Sequence, residues 1–406
     1  MNDSNACPST YPDALAWLYA RSRGGLPRDP ERMRSLVRQL RLSMPPRSVH
    51  VVGTNGKGTV TAMIAAAQAA AGHTTGRFVS PHVEDFRERI AVNGVPIGMQ
   101  EVLAFVRRLA GLELSPAPAF FELTFALALD HFRSAGVEMA AVEAGVGARL
   151  DATITLGNVA TVVITNVDRD HLDTLGPGLE DIARDKAEAI RPGVPTVSGV
   201  RGRPARVIAE VAAARRSPLF ADSSTSRLFA LPAEIAPWRA REPQRWQNAR
   251  LAAAALRLAG SVPEAAIREG VRAARLPARA EVFWVRGRKV VLDGGHNPGA
   301  AHALRKLLPS SYVLVFAALP RKLGEETLAV LEGGAARTFI TQVGDQASAL
   351  ASAAGRSFVI EPAEALEAAL DAAPAGGVVV IAGSFYLAGQ LRPRLLASSE
   401  PLEPAS

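Results

Sequence analysis

The chain has 406 residues, 48% of them hydrophobic, and is long enough to form two or three domains with sizeable cores. Its 46 basic and 39 acidic residues give a formal net charge of +7. The basic residues are scattered without interleaved aromatic residues, so they do not favour nucleic-acid binding, and an anionic small substrate explains the charge equally well. The sequence contains no apolar run of about 18 residues, so no membrane span is expected.

The N-terminal residues 1–5 have neither the basic start nor the apolar core of a signal peptide. The single cysteine, Cys7, excludes an internal disulfide and fits a reducing compartment, so we expect a cytoplasmic protein. Residues 9–42 then predict two helices, which are interrupted at residues 24–27 by the helix-breaking stretch Gly-Gly-Leu-Pro.

A glycine-rich turn, Gly-Thr-Asn-Gly-Lys-Gly-Thr, occupies residues 53–59 between an apolar strand and an Ala-rich helix at 61–71. A strand, such a turn and a helix start in this order can direct backbone N–H groups at a phosphate. Lys57 then supplies a charge for the outer phosphates and Thr59 a hydroxyl for Mg²⁺. The turn is shorter than the eight-residue P-loop. The alternative is a glycine-rich turn with one exposed lysine.

Apolar strands alternate with helices through the first part of the chain, which predicts a parallel sheet covered by helices on both faces. In such sheets the chemistry lies at the carboxyl ends of the strands. The turn at 53–59, Ser80, Glu143 and His171 all occupy such ends. The predicted strands cover residues 76–82, 139–145 and 159–167, and the predicted helices cover residues 98–110, 120–133, 179–190 and 244–259.

A second alternating pattern begins behind residues 275–279, Arg-Leu-Pro-Ala-Arg, which are typical of a hinge. We therefore predict one domain over residues 1–276 and a second over residues 277–406. The glycine-rich loop 293–299 follows a strand of the second domain, and is either a plain turn or a contribution to a nucleotide site. The predicted strands of this domain lie near residues 281–285, 289–292, 312–317, 337–341, 357–360 and 377–382.

Lysine is scarce, because only five of the 46 basic residues are lysines. Since arginine serves wherever a plain positive charge suffices, a lysine indicates a place that needs a primary amine. Lys57 and Lys186 stand in motif-like contexts. The default interpretation of Lys186, on its predicted helix, is nevertheless a surface lysine.

Glu143 and His171 are candidate metal ligands at the predicted sheet edge. A carboxylate and the Thr59 hydroxyl can hold a Mg²⁺ that bridges two phosphates, and an imidazole with further oxygens can hold a second ion. The alternatives are a solvated carboxylate at the strand end and a hydrogen-bonded loop histidine.

Taken together, these residues resemble the folylpolyglutamate synthetases and dihydrofolate synthetases of the Mur-ligase superfamily. The resemblance spans roughly residues 10–395 and consists of several motifs in the family's order. It implies a P-loop-containing, doubly wound α/β domain that binds ATP and folate, and a smaller Rossmann-like α/β domain that binds glutamate and completes the ATP site. The motifs are residues 53–59, 80–82, 88–90, 93–94, 120–122, 143–153, 170–171, 185–187, 247–249, 277–279, 293–298 and 383–387.

The resemblance also implies a role for each matching residue. The ATP phosphates would be bound by Gly53, Thr54, Asn55, Gly56, Lys57, Gly58 and Thr59, and the nucleotide would also be contacted by Asn248, Arg279 and Asp293. The metal ligands would be Thr59, Ser80 and Glu143 for one Mg²⁺ and His171 for a second. The pteroate or folate substrate would be held by Phe120, Phe121, Glu122, Arg149 and Asp151. The catalytic set would be Lys57, Lys186, His171, Arg279 and His296, with Lys186 at the position where the family has a lysine carboxylated by CO₂.

The implied reaction is an ATP-dependent ligation of L-glutamate to dihydropteroate or folate through an acyl phosphate. The implied partners are these small molecules alone, with no nucleic acid or membrane, and the implied state is a monomer. Several positions depart from the family pattern, among them Ala278 and Gly295 and the run Arg321-Lys322-Leu323. The alternative is therefore a divergent ligase that joins an amine to a non-folate carboxylic acid. A third hypothesis is a nucleotide-binding protein that has lost catalysis.

Overall fold

The computed structural model describes residues 7–22, 28–222, 227–319, 323–343 and 356–400. The predicted helix break at residues 24–27 and the departure at Arg321-Lys322 lie outside the described residues. The chain divides into two compact units, and two short segments from the earlier part of the sequence, His82–Phe86 and Asp168–His171, belong to the second one. The predicted boundary after residue 276 takes no account of these segments. The first unit comprises Met1–Pro81, Arg87–Val167 and Leu172–Arg275, and the second also contains Leu276–Ser406.

The first unit is built on an eight-stranded sheet. Its strands are β1 (Arg47–Val52), β2 (Thr75–Phe78), β3 (Ile90–Val92), β4 (Val95–Pro96), β5 (Met139–Glu143), β6 (Val159–Ile164), β7 (Thr196–Ser198) and β8 (Leu219–Ala221). The order is β4-β3-β2-β5-β1-β6-β7-β8, and only the pairings of β3 with its two neighbours are antiparallel. The strand β1 lies inside the sheet, and its valines are fully buried, as a parallel sheet covered on both faces requires.

The helices of the first unit cover this sheet. They are α1 (Tyr11–Tyr19), α2 (Pro30–Gln39), α3 (Lys57–Ala70), α4 (Met99–Ala110), α5 (Phe120–Ser134), α6 (Leu172–Leu175), α7 (Leu179–Ala187), α8 (Arg203–Ala214), α9 (Trp238–Arg241), α10 (Pro243–Ala259) and α11 (Glu264–Ala273). Alanine is frequent in α3 and α10 because these helices pack closely. A Cβ at Gly270 of α11 would overlap the backbone of Ala67 in α3, so the sequence has glycine there.

The second unit is built on a six-stranded sheet in the order β13-β12-β11-β14-β10-β9. Its strands are β9 (Glu281–Val285), β10 (Arg288–Leu292), β11 (Tyr312–Phe316), β12 (Ala335–Ile340), β13 (Arg356–Phe358) and β14 (Val378–Ala382), and its helices are α12 (Pro298–Arg305), α13 (Gly324–Glu332), α14 (Pro362–Ala372) and α15 (Phe385–Ser398). All strand pairs are parallel except β9 with β10.

The predicted α/β class with two sheets is confirmed, and the predicted elements correspond to observed ones with shifted ends. The strand predicted to reach residue 167 ends at Ile164, and the helix predicted to reach residue 190 ends at Ala187. The short strands β7 and β8 and the helices α8 and α11 were not predicted. The helices do bury residues at helical spacing, such as Ile267 and Val271 in α11, but the Ala-, Arg- and Pro-rich composition of the region obscured this signal. Within the described residues, no helix combines the length and the apolar character that a membrane crossing needs.

Candidate active site

The turn at 53–59 joins β1 to α3 with a backbone that requires glycine at two positions. Gly53 has φ +148° and Gly56 has φ +80°. Space also excludes a side chain, since a Cβ at Gly53 would overlap the Thr165 hydroxyl and a Cβ at Gly56 would lie 2.5 Å from Asn248 Oδ1. Among the residues that the structure describes, none caps the start of α3 with its side chain. This uncapped helix N-terminus suits a phosphate.

Two residues after β6 brace the same turn. The side-chain oxygen of Asn166 accepts hydrogen bonds from the backbone N–H groups of Thr54 (3.2 Å) and Asn55 (2.8 Å). The Thr165 hydroxyl donates to the Asn55 carbonyl oxygen at 2.7 Å. Neither residue was predicted as part of the site. The available signal was a polar Thr-Asn pair directly after an apolar strand, at the sheet edge where the chemistry was expected.

Lys186 is buried, with 2% of its surface exposed, so the interpretation as a surface lysine is wrong. Its Nζ donates to the Gly53 carbonyl oxygen at 2.9 Å. This bond links α7 to the turn at 53–59, called the phosphate turn below. Lys57 bonds within its own turn, to the Thr54 carbonyl oxygen at 3.2 Å. The structure therefore brings both motif lysines to the turn.

Glu143 ends β5 directly beside Val51 of β1, in register with it. It is only 2% exposed and accepts a hydrogen bond from the Ser80 backbone N–H at 3.0 Å, so it is not a solvated carboxylate. The half-buried Arg77 lies close enough to interact with it, although burial, the larger influence, lowers the pKa of Arg77. The carboxylate of Glu143 and the hydroxyls of Ser80 and Thr59 are hard oxygen donors, a set that fits Mg²⁺.

The residues predicted to hold the folate substrate fall into two groups. Phe120 stacks on Tyr19 with ring centroids 5.2 Å apart, Phe121 packs against Phe78, and Glu122 is buried. The other two residues, Arg149 and Asp151, lie in the loop that follows β5.

The Asp151 carboxylate accepts bonds from the backbone N–H groups of Val146 and Thr153 and from the Thr153 hydroxyl at 2.6 Å. These bonds hold the loop in place. The Arg149 side chain is 60% exposed and lies 3.7 Å from Asp185, whose other oxygen accepts from the Ala148 N–H. The geometry indicates that Asp151 fixes the loop, whereas Arg149 stays accessible to a ligand.

The hydrogen bonds of Asp151 and Thr153 extend to a buried histidine in the sheet. His50 of β1 is fully buried, and its Nε2 lies 2.9 Å from the Thr153 hydroxyl oxygen. Because that hydroxyl gives its proton to Asp151, His50 donates from Nε2 and its Nδ1 carries the lone pair. Burial, with a smaller contribution from Arg191, lowers the pKa of His50 to about 3.

The second unit presents Arg279 and Asp293 in adjoining turns. Ala278 and Ala280 flank Arg279 with φ +52° and +49°, an unusual backbone for alanine. Asp293 accepts from the N–H groups of Ala280 at 2.8 Å and Gly295 at 2.7 Å. Burial raises the pKa of Asp293, against the opposing influence of Arg279. The Arg279 guanidinium lies 4.3 Å from the centre of the Phe385 ring.

His171 and His296 meet at Asp170, which is part of the motif at 170–171 but was assigned no role in the site. One oxygen of Asp170 accepts from His296 Nε2 at 3.2 Å and from Asn297 Nδ2 at 3.0 Å, and His171 Nε2 lies 3.7 Å from the other oxygen. One ligand atom from each of Asp170, His171 and His296 lies within 4.8 Å of the others, a grouping that could hold a metal ion. The signal for Asp170 was its place beside His171 at a strand end.

The fold and these turns define a class of ATP-dependent ligase. Residues 51–192 match the sequence profile of the Mur ligase middle domain, and residues 278–385 match that of the Mur ligase glutamate ligase domain. The matched ranges contain the phosphate turn, Glu143 and Lys186 in the first unit and Arg279 and Asp293 in the second.

Individual relatives narrow the class. The chain is 31% identical to a dihydrofolate synthase/folylpolyglutamate synthase of Escherichia coli over 83% of each chain. It is 30% identical to a folylpolyglutamate synthase of Lacticaseibacillus casei, over 95% of this chain and 99% of the relative. A solved structure of a bifunctional folylpolyglutamate synthase/dihydrofolate synthase with Mn, AMPPNP and L-glutamate bound aligns with a TM-score of 0.84 and 27% identity, covering 96% of this chain and 100% of that one. The chain belongs to the dihydrofolate synthase/folylpolyglutamate synthase family.

Proposed function

We propose that this enzyme adds L-glutamate to dihydropteroate, to a folate, or to both, with ATP as the energy source. The observation that carries the proposal is family membership along nearly the whole chain, with 30% identity over 95% of it. The relative with AMPPNP, Mn and L-glutamate bound supports the same substrates and a divalent metal here. The proposal assigns ATP and folate to a domain over residues 1–276 and glutamate to a domain over residues 277–406.

In this proposal the first unit supplies the phosphate ligands and most of the metal ligands, and His171 comes from the second unit. The turn at 53–59 and Asn248 bind the nucleotide, and Lys57 faces the outer phosphates. Thr59, Ser80 and Glu143 hold one Mg²⁺, while His171 serves a second. Bound Mg²⁺ would neutralise phosphate charge that develops during transfer. Phe120, Phe121, Glu122 and Arg149 bind the pteroate or folate, and Asp151 orders the loop that carries Arg149.

The reaction proceeds in two steps. A carboxylate oxygen of the acceptor attacks the γ-phosphorus of ATP, the bond to the bridging oxygen breaks, and ADP leaves. The amine of glutamate then attacks the acyl carbon, phosphate leaves and the nitrogen loses a proton. Lys57 and Arg279 stabilise the phosphate charge in the transition state. His296 is the candidate base, since Asp170 binds its Nε2–H and leaves the Nδ1 lone pair available.

Lys186 is proposed to carry a carbamate. Its amine nitrogen would bond to the carbon of CO₂ and release a proton, which converts the side chain into an anionic oxygen donor. Burial at 2% exposure beside the phosphate turn supports this assignment, because a surface lysine would gain nothing from the change. Exposure of the enzyme to ¹³C-bicarbonate should give a carbamate NMR signal that Lys186→Met abolishes. A wild-type enzyme that is active and shows no such signal contradicts the carbamate.

The acceptor is tested by ADP release from Mg-ATP with glutamate and either dihydropteroate or tetrahydrofolate. Turnover with one or both acceptors is expected, with mass spectrometry showing one added glutamate. An enzyme that uses neither acceptor, but releases phosphate in a screen of other carboxylic acids and amines, contradicts the folate assignment and supports a divergent ligase. Gel filtration tests the proposed monomer.

A further inference from the structure

We propose that Arg392 is a positioning residue, which holds in place two segments attached to the nucleotide and metal ligands. One segment is 82–86, and the other is the turn that contains Arg279. The inference rests on the proposed roles of Ser80 and Arg279 in nucleotide and metal binding. It does not depend on which carboxylic acid is the acceptor.

Arg392 and Glu281 form a two-point ion pair. Arg392 Nε lies 2.8 Å from Glu281 Oε2, and Arg392 Nη2 lies 2.7 Å from Glu281 Oε1. The side chains are 19% and 24% exposed, so solvent screens the pair only partly. The hydrogen bonds that Arg392 donates to Glu281, the largest influence, and to Glu84 raise the pKa of Arg392 against the opposing effect of burial, and keep it charged. A planar guanidinium suits this geometry and an ammonium does not.

Glu281 carries the connection to the Arg279 turn. Its Oε2, which already accepts from Arg392, also accepts from the Ala278 backbone N–H at 2.9 Å. Ala278 is a fully buried alanine with φ +52°, a conformation that needs support. Arg279 is the next residue. The orientation of Arg279 therefore depends on a carboxylate that Arg392 holds in place.

The same arginine holds segment 82–86. Its Nη1 donates to Glu84 Oε1. Val83 packs against the core of the second unit, and a Cβ at Gly389 of α15 would overlap the Val83 carbonyl oxygen. Glycine in the interior of α15 thus makes room for this segment. Only Pro81 separates His82 from Ser80 along the chain, so a displacement of the segment would be transmitted to Ser80.

The test substitutes Arg392 by methionine and measures nucleotide binding and turnover. The matched control is Arg394→Met, on the same helix with an exposed side chain. Relative to wild type, we expect Arg392→Met to weaken calorimetric binding of Mn-AMPPNP and to raise the half-saturating Mg-ATP concentration about tenfold, with the KM for the acceptor changed less than about twofold. Arg392→Lys should recover only part of the loss.

A second variant covers the case in which Arg392→Met does not fold. Glu84→Gln leaves the Arg392–Glu281 pair intact and should shift Mg-ATP saturation in the same direction by a smaller factor. Added to Arg392→Met, it should have no further effect. Nucleotide binding equal to that of the Arg394→Met control in both single variants would overturn the proposal. An equal rise in the half-saturating concentrations of the acceptor and of Mg-ATP would overturn it as well. If folates are not substrates, the calorimetric binding of Mn-AMPPNP still tests the role of Arg392.

Discussion

The phosphate turn of the first unit and the Arg279 turn of the second both use left-handed backbone, but they reach it differently. The first has glycine at Gly53 and Gly56, where neighbouring side chains leave no room for a Cβ. The second has alanine at Ala278 and Ala280, whose N–H groups donate to Glu281 and Asp293. Space determines the first turn, and carboxylate hydrogen bonds determine the second.

The energies explain why the second solution works. An alanine in the left-handed region costs about 1–2 kcal/mol. A hydrogen bond to a charged group contributes about 1.5–3 kcal/mol, which is enough to offset that cost. Hydrogen bonds could not offset the cost of an alanine in the phosphate turn in the same way, because its backbone must also stay close to Thr165 and Asn248. The Arg279 turn therefore depends on its carboxylates, and the phosphate turn depends on the absence of side chains.

The largest effect should come from Gly56→Ala. The new Cβ would lie 2.5 Å from Asn248 Oδ1 and displace a predicted nucleotide ligand. We expect ATP turnover, measured as ADP release, to fall about 100-fold. The control is Gly72→Ala, since Gly72 also has a positive φ of +89° but no atom lies within 4 Å of the position that its Cβ would take. It should lose about 1 kcal/mol of stability and keep its activity. Equal activity in the two variants would contradict the claim that the lack of room for a Cβ at Gly56 requires glycine there.

Asp293→Asn tests how far the Arg279 turn depends on a carboxylate. An amide has one acceptor oxygen, so either the Ala280 or the Gly295 N–H loses its partner. We expect the free energy of unfolding, measured with urea, to fall by about 1–3 kcal/mol. The Mg-ATP concentration for half-maximal turnover should also rise. Unchanged stability would show that the alanines hold their conformation without this carboxylate.

His50→Gln tests the strand that carries the phosphate turn. Because the folded-state pKa of His50 is about 3 and the ordinary value is 6.5, its contribution to stability is present above pH 6.5 and is lost as the pH falls toward 3. Between pH 7 and pH 5 the wild type should lose about 2 kcal/mol through this group. Glutamine can still donate to Thr153 and does not titrate, so the variant should lose less over the same range.

His73→Gln provides the control for this pH measurement, because His73 lies at the surface of the same unit. It should follow the wild type in urea unfolding at both pH values. If His50→Gln also follows the wild type, the histidine is not the source of acid sensitivity.

The smallest effect should come from Ala278→Gly. Glycine relieves about 1 kcal/mol of backbone strain. It also removes a buried methyl group worth about 0.8 kcal/mol, since Ala278 is fully buried. Urea unfolding should therefore change by less than about 1 kcal/mol. Ala280→Gly, at a partly buried site, should be the more stable of the two variants. A loss above this range in both would mean that the alanines are not strained.

Much of the site could be predicted from local patterns. The turn at 53–59 was found because glycine, lysine and threonine follow a strand and precede a helix. Glu143 and Ser80 were predicted because Glu143 ends a strand and Ser80 closely follows one at the same edge of the sheet. Asn166 was missed and Asp170 was assigned no role, because single polar residues after a strand are common and nothing local distinguishes a bracing residue from a solvated one. The roles of the predicted residues in binding and catalysis stay predictions.

The amino-acid sequence alone indicates the α/β class, the order of the motifs and the position of the phosphate turn, because each is encoded by apolar periodicity and turn residues within a short window. Which side chains are buried, and what they bind, depends on the tertiary structure. Lys186 contacts a carbonyl 133 positions away, and Arg392 contacts Glu84 across 308 positions. Such pairs form when distant elements pack, so their partners are set by the assembled sheets and helices rather than by any local stretch of the chain.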